Sequence, residues 1–273
     1  MSEQTYIFSL EELGYALAVH QGEEMAAGLM KAFYGDLPEE SWQLLFQAAT
    51  HSLIAKGFIE SIREADGEVT FIPAIAEIIR HLLSSSYMLR GVTERDSAKV
   101  LSIHVQQQRY LYHLSDGNTV HFFTWTEPED WEEELVRFYG VEKSGAAPAA
   151  STGAKAVITE GLWNQLTEPG HVSVAVPTLC TDLSPDEQNL IAKWQQAFQA
   201  NVGSMDNLST IRIAHGDQTM IENILFLLPS DEGVWVIRNQ EKDRNTEPQI
   251  CIELQSASVC RETLGAFAAS LLG

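Results

Sequence analysis

Positive charge is what this 273-residue chain has least of: 17 Lys and Arg stand against 38 Asp and Glu, a formal net charge of −21. Such a field repels nucleic-acid phosphates and anionic lipid headgroups, and over about a Debye length it attracts basic partners. The deficit is not confined to a tail. Residues 1–100 hold 15 acids and 7 bases, residues 101–145 hold 8 and 3, and residues 146–273 hold 15 and 7. No regional basic face exists to dock a phosphate backbone, so a nucleic-acid partner is not expected.

Cysteine is also scarce. Cys180, Cys251 and Cys260 are an odd number without CxxC spacing, so neither a disulfide framework nor a zinc site is expected. Each sits in an apolar stretch and reads as a reduced core residue. No run approaches the roughly 20 apolar residues of a membrane span, and Met1-Ser2-Glu3-Gln4 lacks the basic start of a secretory leader. The expectation is a cytoplasmic protein without a membrane partner.

Catalytic and cofactor signatures are missing too. There is no GxSxG elbow, and Ser84-Ser85-Ser86 falls in a helical pattern. No cysteine lies beside a histidine or at a helix start, where its pKa would fall. The stretch Gly153 to Gly161 contains neither GxGxxG nor a GK[ST] ending. Carboxylate pairs are plentiful, but in so acidic a chain they arise by chance. No catalytic residue, cofactor or metal is expected.

Periodic hydrophobicity carries the rest. Leu10, Leu13, Ala16 and Leu17 share a helical face in a segment spanning Phe8 to His20, with Ser9 and Glu12 as a capping box. Further helices are predicted over about Gly22–Phe33 and from Pro38 to Ile54, the latter ended by Gly57. Ile62 and Val69-Thr70-Phe71 flank an Asp66-Gly67 turn, a hairpin signal, and a fourth helix follows Pro73. From Lys99 the period becomes two. Val100–Val105, Tyr110–Leu114 and Val120–Trp125 read as a meander, closed by an acidic helix over Glu127–Tyr139.

Residues 143–154 are small and featureless, a linker between halves 1–142 and 155–273. The second half predicts helices at about 155–166 and 184–200, strands at 209–214, 220–228, 233–238 and 249–254, and a terminal helix from Ser258 to Leu272. Tyr110 to Gly117 before Val120, and Ile224 to Gly233 before Val234, both read as strand, acidic-glycine turn and strand. The fold class expected is α+β: two αβ halves with antiparallel meander sheets and flanking helices, and a possible pseudo-two-fold repeat.

Three local features bear on function. His104, His113 and His121 fall in three successive strands. A three-histidine metal site is the sharper reading, and a longer loop would allow it; if Asp116-Gly117 is a two-residue type I′ loop, His113 faces Val120 and His121 faces Tyr112, which sends the two rings to opposite faces as ordinary sheet-surface side chains. Three helices followed by a hairpin, Phe8 to Ile72, match the order of a winged helix, but the third helix carries Glu39, Glu40 and a single Lys56. That order suits a protein-interaction module, or alternatively a regulator whose second half senses a ligand. Finally, Trp125 and Trp131 lie among six acids in Trp125–Glu134, the make-up of an aromatic anchor inside an acidic rim. The helix-start reading of Pro128, Glu129 and Asp130, with Trp131 as core anchor, competes with it.

The element order as a whole resembles the EspG family, cytosolic chaperones of type VII (ESX) secretion. The resemblance rests on the N-terminal helices with Leu53-Ile-Ala-Lys-Gly-Phe-Ile59, the meander and closing helix, and a second αβ half carrying Ser230-Asp-Glu-Gly and Val234-Trp-Val-Ile. It implies a quasi-two-fold αβ architecture and a role in shielding an aggregation-prone segment of a secretion substrate. It rests on element order and on no diagnostic motif; where a Gly-Arg-Tyr sequence is expected, Gly233 is followed by Val234-Trp235, so no binding residue carries over.

The sequence therefore leads to non-catalytic protein binding, as an adaptor or a secretion-type chaperone for an apolar or basic partner segment. A hidden enzyme is the third reading, after the ligand-sensing regulator. The partner-contact candidates are Trp125, Trp131, Glu132, Glu133, Glu134 and Trp235.

Overall fold

The structure is a computed structural model that describes residues 4–63, 68–93, 98–143, 153–168, 180, 182–213, 219–240 and 248–272. The Asp66-Gly67 turn, nearly all of the 143–154 linker, and His171 and His215 lie outside the described residues.

In chain order the elements are β1 (Tyr6–Ser9), α1 (Leu10–Val19), α2 (Glu23–Tyr34), α3 (Glu39–Ala55), β2 (Ile59–Ile62), β3 (Val69–Phe71), α4 (Pro73–Ser84), β4 (Tyr87–Thr93), β5 (Lys99–Gln106), β6 (Arg109–Asp116), β7 (Val120–Thr126) and α5 (Trp131–Tyr139). The second part adds β8 (Lys155–Thr159), α6 (Glu160–Thr167), α7 (Pro185–Ala200), β9 (Asp206–Ile213), β10 (Thr219–Ser230), β11 (Gly233–Gln240), β12 (Gln249–Gln255) and α8 (Ala257–Ala269). The class is α+β with antiparallel ladders, as the periodicities require.

The chain divides into two compact units. The first holds residues 1–88, 97–127 and 212–219. Its sheet runs β1-β7-β6-β5, with the β2–β3 hairpin separate. Phe8, Leu17, Ile75, Ile78, Leu111 and Phe123 are central to its core. The capping box at the start of α1 is present: the Ser9 hydroxyl accepts from the Glu12 backbone, and the Glu12 carboxylate accepts from the Ser9 N–H at 2.7 Å. Glu12, only 2% exposed, also accepts from Ser52 Oγ and Lys56 Nζ, both at 2.6 Å, which ties α1 to α3. Gly57 ends α3 with φ +71°, a left-handed value that glycine adopts without penalty.

The second unit holds residues 89–96, 128–211 and 220–273. Its sheet runs β4-β9-β10-β11-β12-β8, over a core built around Trp194, Trp235, Ile191 and Ile252. The closing helix α5 belongs to this unit and packs on α8. Close approach is built in with glycine: a Cβ at Gly91 would sit 2.6 Å from the Tyr139 hydroxyl, which donates to the Asn207 carbonyl at 2.6 Å.

Strand order repeats between the units. β1 adds to the outer edge of β7, and β8 adds to the outer edge of β12, each antiparallel. Each of these short strands runs straight into a helix capped by its last residue, Ser9 or Thr159. Thus β7-β6-β5 corresponds to β12-β11-β10, and the hairpin matching β10–β11 is β5–β6 rather than the β6–β7 hairpin chosen from sequence.

Three strands escape the periodicity. Helices were expected from Phe8 and from about residue 155, but Tyr6–Ser9 and Lys155–Thr159 are strands. Their four and five residues are too few for a period of two to register, and their partners lie 90 or more residues away in sequence. β4 was likewise not expected.

Candidate functional site

The sequence-predicted contact residues divide between the units. Trp125, near the end of β7, is partly buried in the first unit. Its ring meets His81 edge-on at 5.1 Å, and the Arg109 guanidinium lies 4.1 Å from the ring centroid, a cation–π geometry. Trp131 starts α5 in the second unit and is 1% exposed. Trp235, on β11, is also 1% exposed and borders a 400 Å³ cavity beside the Lys193–Glu232 ion pair. Both rings are core residues.

The glutamates that follow Trp131 have partners inside the unit. Arg261 of α8 reaches Glu132 at 3.3 Å, Glu133 at 3.0 Å and Glu142 at 3.0 Å, while Arg137 bonds Glu134 at 2.8 Å. Exposed ion pairs of this kind contribute little each, but they tie part of the acidic run to its own fold.

The histidine geometry departs from expectation. Asp116 pairs with Val120, so the turn holds three residues, Gly117, Asn118 and Thr119. Gly117 and Asn118 take φ of +57° and +55°. That single additional residue shifts the register. His121 now faces Ser115, two residues from His113, and His104 faces Leu111, two residues the other way. All three rings therefore share one face. His113 Nε2 lies 2.9 Å from His121 Nδ1, and the His104 and His113 rings stack at 5.8 Å.

His121 is 1% exposed, and His104 and His113 are half-buried. Burial lowers the His104 imidazole to about 3 and the His121 imidazole to about 4, and it pushes His113 well below its ordinary range. Neighbouring imidazoles act in the same direction on His104 and His113. His81 extends the row, with Nε2 2.9 Å from the His104 carbonyl. Among the described residues, no group of three His, Cys, Asp or Glu is placed to hold a metal ion.

Nucleophile candidates are similarly occupied. The Ser84 and Ser85 hydroxyls donate to the carbonyls of Arg80 and His81, at the end of α4 rather than within it. Cys180, Cys251 and Cys260 are buried free thiols, and burial raises Cys260 to about 12. The helix–hairpin order of a winged helix is present, yet Lys56, the cation that caps the C-terminus of α3, is engaged by Glu12 and by the Ile7 carbonyl.

One concave surface was not legible in the sequence. In the second unit a groove of about 1010 Å³ is lined by Ile221–Leu225 of β10, residues 238–240 of β11 and one face of α8. Ile221 is 62% and Val259 40% exposed, and Met220 beside them is exposed as well. Glu222 and Glu262 stand at it, with Arg238, which reaches Glu253 at 3.5 Å. The apolar run of 220–228 announces a strand, but it does not say that the first half of that strand lacks a cover.

Among known proteins, the family described as uncharacterised protein YfjC has a sequence model that matches residues 5–255. No curated protein matches the chain. In structure it is similar to the Mycobacterium tuberculosis type VII secretion system chaperone EspG5, solved in complex with a PE25–PPE41 dimer. The TM-score is 0.65 at 10% identity, over 97% of this chain and 96% of that one. At that identity the likeness is one of fold, and the fold is the one the sequence resemblance implied.

Proposed function

The chain belongs to the YfjC family of uncharacterised proteins, and we propose that it is a non-catalytic protein-binding protein, an adaptor or secretion-type chaperone for an apolar or basic partner segment. The observation that carries this reading is the groove of about 1010 Å³ along β10 and α8, an apolar surface with exposed Ile221 and Val259 in a strongly acidic chain. Contiguous exposed apolar surface on a charged protein marks an interaction site. The shared fold with EspG5 supports the same reading, since that protein is a chaperone seen holding a protein dimer. Three buried free thiols suit a reducing compartment, and no helix among the described residues is long and apolar enough to cross a membrane; the cytoplasm is the proposed location.

The acidic field speeds encounter with a basic partner and keeps the complex soluble. Trp125 and the Glu132–Glu134 run are proposed as further contacts. Trp131 and Trp235 act from beneath the surface, by holding α5 and β11 in place.

The test is affinity capture from a native lysate, followed by reconstitution with the purified candidate. A stoichiometric complex that forms from the two pure proteins and involves an apolar or basic segment supports the proposal. A chain that forms no complex with any captured protein, and instead turns over a small molecule, overturns it.

A further inference from the structure

We infer that the groove takes an extended partner segment by strand addition along the first half of β10, with apolar side chains alternating with Lys or Arg. This inference rests on the protein-binding reading and specifies its mode.

Three geometric observations lead to it. Side chains of a strand alternate between faces, so a cavity lying over a sheet face touches every second residue. This groove touches five in a row, Ile221–Leu225, and three in a row on β11, residues 238–240. β10 lies between β9 and β11, so the edge the groove follows is the one that faces β11 past the last ladder pair, Leu225↔Arg238. The β10–β11 register goes from Ser230↔Gly233 to Leu225↔Arg238, and β10 continues beyond that pair for the residues Thr219–Ile224. The third wall is α8, whose groove residues Val259, Thr263, Ala266 and Phe267 form one helical stripe that Ser270 continues just past the helix end. That stripe is about 16 Å long at 1.5 Å per residue, the span of roughly five extended residues at about 3.3 Å each.

Charge selects the occupant. Glu222, Glu262 and Arg238 line the groove, and Arg238 is already bonded to Glu253. The local balance is acidic within a chain of net charge −21. An extended segment with one basic and one apolar face satisfies both walls: its main chain bonds β10, its apolar side chains cover Ile221 and Val259, and its cations meet the carboxylates.

The experiment uses the full chain and a labelled peptide of alternating Val and Lys, six residues long, read by fluorescence anisotropy. Two control peptides keep its length: one N-methylated at alternate residues, with charge and apolarity intact but N–H donors removed, and one with Glu for Lys. Saturable binding is expected, with at least about tenfold loss for the N-methylated peptide, for the Glu peptide and for the I221K variant. Leu44→Lys, at a 69% exposed site on α3, is expected to bind as the wild type does. Hydrogen exchange by mass spectrometry is expected to show new protection over residues 219–224 when peptide is bound.

Equal binding of the N-methylated peptide, or of the wild type and I221K, overturns strand addition. A concentration-dependent dimer that I221K abolishes overturns the partner assignment and makes the groove a self-association surface. If a captured physiological partner binds I221K as tightly as wild type, protein binding stands and this inference fails.

Discussion

His113 Nε2 and His121 Nδ1 lie 2.9 Å apart on one face of the first unit's sheet, so one neutral imidazole donates to the other. Burial opposes a second proton on either ring. The pH response follows. All three clustered histidines titrate below their unfolded value of about 6.5. Their contribution is complete above that pH. It is lost as pH falls towards the folded values of about 4 and 3, because the unfolded chain takes up protons that the native state refuses. Each depressed histidine contributes up to about 1.4 kcal/mol per pH unit in that window. Guanidinium midpoints from pH 7.5 to 4.5 measure the slope. The H121Q variant, neutral throughout, is expected to flatten it in part, and an unchanged slope in the variant excludes His121 as a source.

Glu12 holds the helix layer of the same unit together. Its carboxylate receives the Ser9 N–H, the Ser52 hydroxyl and the Lys56 ammonium. Glu12→Ala is expected to cost about 2–3 kcal/mol, since it strands donors fixed against a buried site. Lys56→Ala is expected to cost less, because that side chain is partly solvated and the carboxylate keeps its other donors. Equal losses in chemical denaturation would contradict the ranking.

Gly91 and Tyr139 are expected to couple. An added Cβ at position 91 collides with the hydroxyl that bonds Asn207, so Gly91→Ala is expected to destabilise by about 1–3 kcal/mol. Tyr139→Phe removes the hydroxyl at a cost of about 1 kcal/mol. In the double variant the clash is reduced, so the loss is expected to fall short of the sum by at least about 0.5 kcal/mol. Strict additivity in a thermal or urea double-mutant cycle would show that the contact does not constrain β4.

Nucleic acid is the partner class the charge opposes most directly. At about 50 mM salt the protein is expected to leave a random duplex unbound at micromolar concentration, since phosphate contacts supply nearly all non-specific affinity. A gel shift that fades steeply with added salt would reverse this and revive the winged-helix regulator.

The helices and the meander were legible because their periodicity is local. Leu10, Leu13 and Leu17 sit on one face whatever they pack against, and the Ser9–Glu12 capping box involves four adjacent residues. β1 and β8 were not legible: each pairs with a distant strand, 90 or more positions away. The histidine face turned on a single residue. Asp116-Gly117 predicts a turn in either case, but whether the loop holds two residues or three decides which side every later side chain takes.

Sequence alone determined the α+β class, the uniformly acidic field and the absence of any recognised catalytic motif, because composition and short-range periodicity survive without tertiary context. Only the tertiary structure decided that Trp131 and Trp235 are core, that Ile221 and Val259 are surface, and that three histidines share one face of a sheet. Burial is a relation between residues far apart in the chain. An apolar side chain reads the same in sequence whether another element covers it or leaves it to a partner.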